Sequence, residues 1–244
     1  MNHPPLVGIV GGFGPCTSAD FCVRLVNHGL AMQSDRAPSF VMDSVPLDMA
    51  VAARSINGDP EATRELVRAA SASIQRLAAM GVRSVAVPCN TLHAYAEEFA
   101  VPCGVEFLHI ADALLHRLKS IGAKCVGFLG SSMTVRSGFY FPLFKGAGID
   151  VLLPTERDQT DLSAAIAAYV ATGDVHEETL VDVRRILGEF VAHGADTIAL
   201  GCTDIAGILV RGNVQLPLPH ADSTDALAEV CARKGFSVLS GVSA

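Results

Sequence analysis

Two segments of the chain repeat one plan: G-V-R-S-V-A-V-P-C-N-T from Gly81 and G-A-D-T-I-A-L-G-C-T-D from Gly194. Each runs from a glycine through a continuous apolar stretch to a cysteine followed by small polar residues. A strand that is apolar at successive positions is buried on both faces, which is the condition of parallel sheets covered by helices. A second pair, G-I-V-G-G from Gly8 and G-F-L-G-S from Gly127, repeats the same relation between an apolar run and a turn. The expected fold is α/β, with two similar lobes related by a pseudo-twofold axis. Each lobe is a parallel sheet flanked by helices, and a cleft lies between them.

The rest of the pattern fits this frame. Apolar runs predict strands over 6–10, 40–45, 84–87, 125–129, 151–153 and 197–200. Helical periodicity covers 17–32, 60–80, 111–119, 138–144, 161–171, 177–193 and 225–233. Leu66, Ala70, Ile74 and Leu77 share one face of the second helix, and Gly81 stops it. The expected division is residues 1–112 plus 210–244 for the first lobe and 113–209 for the second. In that division the segment after Cys202 crosses back onto the first lobe.

Charge and composition narrow the partners. The net charge is −7, with no basic run, which argues against nucleic acid and against an anionic membrane surface. No run of 18 apolar residues is present, and the first residues lack a signal-peptide pattern, so a cytoplasmic protein is expected. The seven cysteines form no C-x-x-C pair and are read as reduced thiols, without a structural zinc site. Cys22, Cys103, Cys125 and Cys231 read as small apolar fillers.

Cys89 and Cys202 are different. Both stand at the carboxyl end of a parallel strand, the edge at which open α/β sheets bind ligands. Both precede a predicted helix, whose free N–H groups and partial positive charge stabilise a thiolate or a carboxylate. A pseudo-twofold arrangement brings the two thiols to opposite sides of one ligand. A thiolate and a thiol facing each other across a carbon can remove a proton from one face and return one to the other.

These residues resemble the aspartate/glutamate racemase superfamily, and its aspartate racemase branch in particular. The resemblance rests on G-G-F-G-P at Gly11–Pro15, P-C-N-T-L-H at Pro88–His93 and L-G-C-T-D at Leu200–Asp204. The T-x-x-x-x-F-Y pattern around Thr134–Tyr140 and D-S-T at Asp222–Thr224 extend it over almost the whole chain. It implies cofactor-independent transfer of the Cα proton of an amino acid, with Cys89 and Cys202 as the acid/base pair, no metal, and a homodimer. It further implies Asn90, Thr91 and Thr203 on the α-carboxylate, Gly12, Phe13 and Gly14 as a floor near the substrate, and Thr134 lining the pocket from the second lobe.

Three positions depart from the family pattern. Met49, in P-L-D-M-A, stands where acidic-substrate members carry a carboxylate-gripping arginine, leaving Arg54 as the candidate substitute. A lysine of the second lobe is replaced near Ala171. Asp204 stands where the usual residue is Glu, in a place from which it supports the second thiol. A buried carboxylate without a cation is costly. The expected substrates therefore extend from aspartate or glutamate to a neutral, polar or broad range of amino acids. Within the superfamily, two thiols also suit maleate isomerases and hydantoin racemases, and decarboxylases use one. The reading from another class is a non-catalytic amino-acid-binding protein. A Cys89/His93 metal pair lacks a second pair of ligands, and G-G-F-G lacks the spacing of a dinucleotide loop. His109, His220 and Asp222 are read as structural or cleft-edge residues.

Overall fold

A computed structural model describes residues 6–33, 36–56 and 58–236. Residues 1–5, on which the reading of the chain start rests, lie outside them. The first half runs β1 (Val7–Gly11), α1 (Pro15–Met32), β2 (Phe40–Ser44), α2 (Met49–Ile56), α3 (Pro60–Ala79), β3 (Ser84–Ala86), the single-turn α4 (Asn90–His93), β4 (Glu106–Leu108) and α5 (Ile110–Ser120). The second runs β5 (Cys125–Leu129), α6 (Ser132–Ser137), α7 (Phe141–Gly146), β6 (Asp150–Leu152), α8 (Glu156–Thr172), α9 (Glu177–Ala192), β7 (Thr197–Leu200), α10 (Thr203–Arg211), β8 (His220–Asp222) and α11 (Ser223–Phe236).

Both sheets have four parallel strands in one shared order, β2-β1-β3-β4 and β6-β5-β7-β8. The order reverses between the first and third strand of each half, and a crevice opens there beyond the carboxyl ends. Cys89 follows β3 and Cys202 follows β7, so both thiols stand at that point of their sheet.

Side-chain alternation divides the interior into three packed regions. Ile9, Ala86, Phe128 and Ala199 point from both sheets into a central layer shared with α1, α5, α7 and α11. Val10 and Val85 point outward beneath α2 and α3. Leu129, Ile198 and Leu200 point outward beneath α8, α9 and α10. The inner layer joins the halves, because helices lying between the sheets bury apolar surface against both.

Local chemistry sets the helix starts. Asp59 caps α3 by accepting from the N–H groups of Glu61 and Ala62, with Pro60 at the first helical position. Thr155 caps α8 by accepting from Asp158 N–H at 3.3 Å, and its hydroxyl donates to the Asp158 carboxylate at 2.7 Å. That cap starts α8 at Glu156, a full turn before the expected residue 161. Gly138, at φ 69°, ends α6, which was not expected, and the expected helix over 138–144 begins at Phe141 as α7.

Two elements differ more from the expectation. α2 was not anticipated; Asp48 starts it, its side chain accepting from Ala50 N–H at 2.9 Å. β8 occupies a segment read as loop, and pairs with β7 in the second sheet through Ile198–His220, Ala199–Ala221 and Leu200–Asp222. Residues 220–222 are therefore tied to the second sheet, where the expected division had them in the first lobe. The return crossing begins at Ser223, from which α11 packs against α1 and α5.

Candidate active site

Cys89 is the N-cap of α4 and Cys202 the N-cap of α10, and the two share an extended backbone, φ −153° and ψ 105° against φ −147° and ψ 130°. The turn before Cys202 is tightly constrained. Gly201 lies under the ring of Phe128, where an added Cβ would sit 2.0 Å from the ring edge. Gly12, which follows β1 and leads into Phe13, has φ 99°, and a Cβ there would meet the Val45 carbonyl oxygen at 2.2 Å.

The backbone N–H groups that open each helix, Leu92 and Thr91 for Cys89 and Ile205 and Asp204 for Cys202, act to lower its thiol. Burial works against them. It pushes the Cys89 thiol up to about 12, and the nearby Asp204 carboxylate adds to the rise. It also raises the Cys202 thiol, with Asp204 and then Cys89 adding to the rise. The ionisation of one thiol therefore opposes that of the other. Asp204 is itself raised by burial, against hydrogen bonds from Thr17 and Thr203 that lower it.

Both thiols line one cavity of ≈ 30 Å³, together with Asn90, Thr91, Thr203, Asp204 and Phe13. Ala52, Ser55 and Ile56 of α2, Leu66 of α3, Ser131 and Ile166 of α8 complete the wall. Among the described residues no Lys, Arg or His lines it. A larger open groove of ≈ 510 Å³, bordered by Arg24, Gln215 and His220, contains neither thiol.

The other expected site residues take different places. Gly12 and Gly14 hold the loop behind Phe13: Ser18 Oγ accepts from Gly12 N–H at 3.0 Å and donates to Gly14 O at 2.9 Å. Thr134 is buried with its hydroxyl 3.2 Å from that of Ser131, which is the residue that lines the cavity. Met49 starts α2 away from the cavity. Arg54 is not brought to it either; the guanidinium faces solvent, 57% exposed, 3.3 Å from Asp59.

The histidines are occupied structurally. His93 is buried with Nε2 donating to Val87 O at 2.9 Å and Nδ1 accepting from Ile110 N–H at 3.2 Å, an arrangement that fixes the neutral ring. His109 caps α5 by accepting from Ala111 N–H. Asp222 caps α11 by accepting from Thr224 N–H at 2.8 Å and pairs with Arg24 at 2.6 Å. His220 is exposed at the edge of the large groove. Among the described residues no cluster of three His, Cys, Asp or Glu side chains is placed to hold a metal, and no helix is long and apolar enough to cross a membrane.

The pattern missed the α2 and α8 side of the cavity. Ser131 carried a signal, since it repeats the position of Gly12 in the second half. Ile166, Ala52 and Ile56 carried none, because they reach the cavity only when α2 packs on α8 across the lobes.

The fold is found in known proteins. The chain is 28% identical over 229 residues to the broad specificity amino-acid racemase RacX of Bacillus subtilis (strain 168), covering 92% of this chain and 95% of that one. A putative Asp/Glu racemase from Yersinia pestis superposes with a TM-score of 0.77 at 24% identity, over 95% of this chain and 99% of the other. The Picrophilus torridus aspartate racemase gives 0.71 at 24% identity, over 95% and 94%. The Francisella tularensis glutamate racemase solved with D-glutamate gives 0.62 at 14% identity, over 94% and 80%. The family model described as Asp/Glu/Hydantoin racemase matches residues 10–231, and the chain belongs to that family.

Proposed function

We propose that the protein is a cofactor-independent amino-acid racemase acting by two-base proton transfer between Cys89 and Cys202. One observation carries the reading: thiols from two separate sheets border a single cavity, each at the start of a helix whose N–H groups face its sulfur. The thiolate on one face takes the Cα proton and becomes a thiol. The electron pair left on Cα is delocalised into the carboxylate, and the opposing thiol donates its proton to the other face and becomes the thiolate. Atoms and charge balance, and the enzyme is left ready for the reverse direction.

Burial holds both thiols neutral in the empty cavity. The ammonium group of an entering amino acid offsets that cost by placing a positive charge beside the sulfur that ionises. Asn90, Thr91 and Thr203 supply N–H and hydroxyl groups to the α-carboxylate and to the charge that develops on it. The cavity is far smaller than the roughly 300–1,000 Å³ usual for ligand pockets, so α2 and α8 must part to admit substrate and reclose around it.

The side chain of the substrate faces Ala52, Ile56, Leu66 and Ile166. An unpaired carboxylate there would cost several kcal/mol, which favours neutral side chains over aspartate and glutamate. The broad specificity in the description of the Bacillus subtilis relative accords with this. The decisive experiment is proton NMR in deuterated water with L- and D-alanine, serine, leucine, lysine, aspartate and glutamate. Loss of the α-proton signal with inversion is expected for neutral members of the panel. Aspartate turning over far faster than all of them would overturn the substrate assignment, and binding without exchange would make the protein a non-catalytic binder. A homodimer is part of the proposal, and light scattering on the purified protein decides it.

A further inference from the structure

The polar groups behind Cys89 form a hydrogen-bonded chain that spans both halves of the molecule. The phenol of Tyr140, just before α7, donates to Asn90 Oδ1. The Asn90 amide donates to Ser223 Oγ at 3.0 Å. All three side chains are buried, at 0%, 3% and 0% exposure. Their sequence neighbourhoods are unrelated: Asn90 follows Cys89, Tyr140 belongs to the second half, and Ser223 marks the crossing from β8 into α11.

The Asn90 amide turns its oxygen toward the Tyr140 hydroxyl and its nitrogen, which carries two N–H donors, toward Ser223. One N–H is consumed by Ser223. The other has no hydrogen-bond partner among the described residues, and Asn90 borders the cavity beside Cys89. The Tyr140 ring that holds this order is itself locked, packed against Phe128, Phe139 and Phe144 with centroids 5.1, 4.4 and 5.5 Å away.

We propose that Tyr140 is a positioning residue: through Asn90 it fixes an N–H donor on the Cys89 side of the cavity, and so sets the orientation of the substrate during proton transfer. Among the described residues no matching chain touches Thr203, the residue that follows Cys202, so the two faces of the cavity are supported differently. The proposal rests on the racemase reading for its catalytic consequence and on the hydrogen-bonded chain alone for its structural one.

A double-mutant cycle on kcat/KM separates this role from simple packing. Tyr140→Phe keeps the ring and removes the hydroxyl, and should lower kcat/KM roughly 10–100-fold, the range set by misplacing a substrate-orienting group. In an Asn90→Ala background the same substitution should cost less than about twofold, because the effect runs through Asn90. An equal loss in both backgrounds, or no loss in the wild-type background, overturns the proposal. Side-chain amide NMR reads the link without turnover. The Asn90 N–H bonded to Ser223 should be protected from solvent exchange in the wild type and lose protection in both Tyr140→Phe and Ser223→Ala. Free exchange in the wild type would also overturn it. If the wild type racemises nothing in the panel above, the functional reading fails, while the amide measurement still decides the hydrogen-bonded chain.

Discussion

The Thr17 hydroxyl donates to Asp204 Oδ1 at 3.1 Å across 187 positions of sequence, joining the start of α1 to the start of α10. The other carboxylate oxygen accepts from Thr203 Oγ1 at 3.3 Å. Asp204 is thus held between the lobes, where its negative charge raises both thiols. It is the one acidic side chain bordering the cavity among the described residues.

Asp204→Asn keeps an oxygen for Thr17 and removes the charge. Both thiols should titrate lower, and carbamidomethylation of Cys89 and Cys202 by iodoacetamide at pH 8 should quicken by up to about tenfold for each unit by which the thiol pKa falls. Peptide mass mapping over a time course measures this. Unchanged rates at both positions would mean that the carboxyl is protonated in the wild type.

Cys89→Ser and Cys202→Ser should each abolish racemisation, by on the order of 10³-fold or more, because a hydroxyl is a far weaker acid than a thiol at either step. Each variant should retain some exchange of the α-proton for deuterium from one enantiomer only, and the two variants should prefer opposite enantiomers. Wild-type turnover in either variant ends the two-base scheme.

The alkaline limb of stability follows from the same burial. Cys89 moves from its ordinary value of 9.0 to about 12, and Cys202 and Cys231 are also raised. The folded chain keeps protons that the unfolded chain releases, so their contribution is intact below pH 9 and is lost as pH climbs toward 12 and beyond. Each group contributes a slope of about 1.4 kcal/mol per pH unit within its window. Urea midpoints across pH 8–11 should fall, and fall less in Cys231→Ala once its lower baseline is subtracted.

On the acid side the sign reverses. Burial lowers His93 from 6.5 to about 3, with the neighbouring His109 adding to the effect. The unfolded chain takes up a proton that the folded one refuses, so stability is lost as pH falls from 6.5 toward 3. His93→Asn should be less stable at pH 7, and the gap to wild type should narrow steadily below pH 6.5. A gap independent of pH would place the proton elsewhere.

Gly201→Ala should destabilise the fold by about 1–3 kcal/mol or more, since the new methyl would lie 2.0 Å from the Phe128 ring and the packed inner layer has little room to yield. Activity should fall further than stability, because the shift is passed directly to Cys202. Chemical denaturation and kcat/KM measured on the same preparation separate the two effects.

Much of this molecule is written in local pattern. The strands through Val85 and Ile198 are apolar at consecutive positions, and such runs are stable only inside parallel sheets. Gly12 marks where backbone approaches backbone. Because the halves repeat that pattern, the placement of Cys89 and Cys202 at matching strand ends could be read without coordinates. α2 could not: the burial of its eight residues from Met49 to Ile56 comes from α3 and α8. β8 could not either, since three residues beside prolines become a strand only through β7.

The sequence by itself determined the parallel α/β halves, the strand ends and the two thiols, because backbone preference and burial on both faces act over a few neighbouring residues. Only the tertiary structure decided the apolar wall of Ile166, Ala52 and Ile56, the exclusion of Arg54, the Thr17–Asp204 link and the Tyr140–Asn90–Ser223 chain of hydrogen bonds. Those depend on how two lobes close over a shared inner layer, and no local preference encodes which distant side chains that closure brings together.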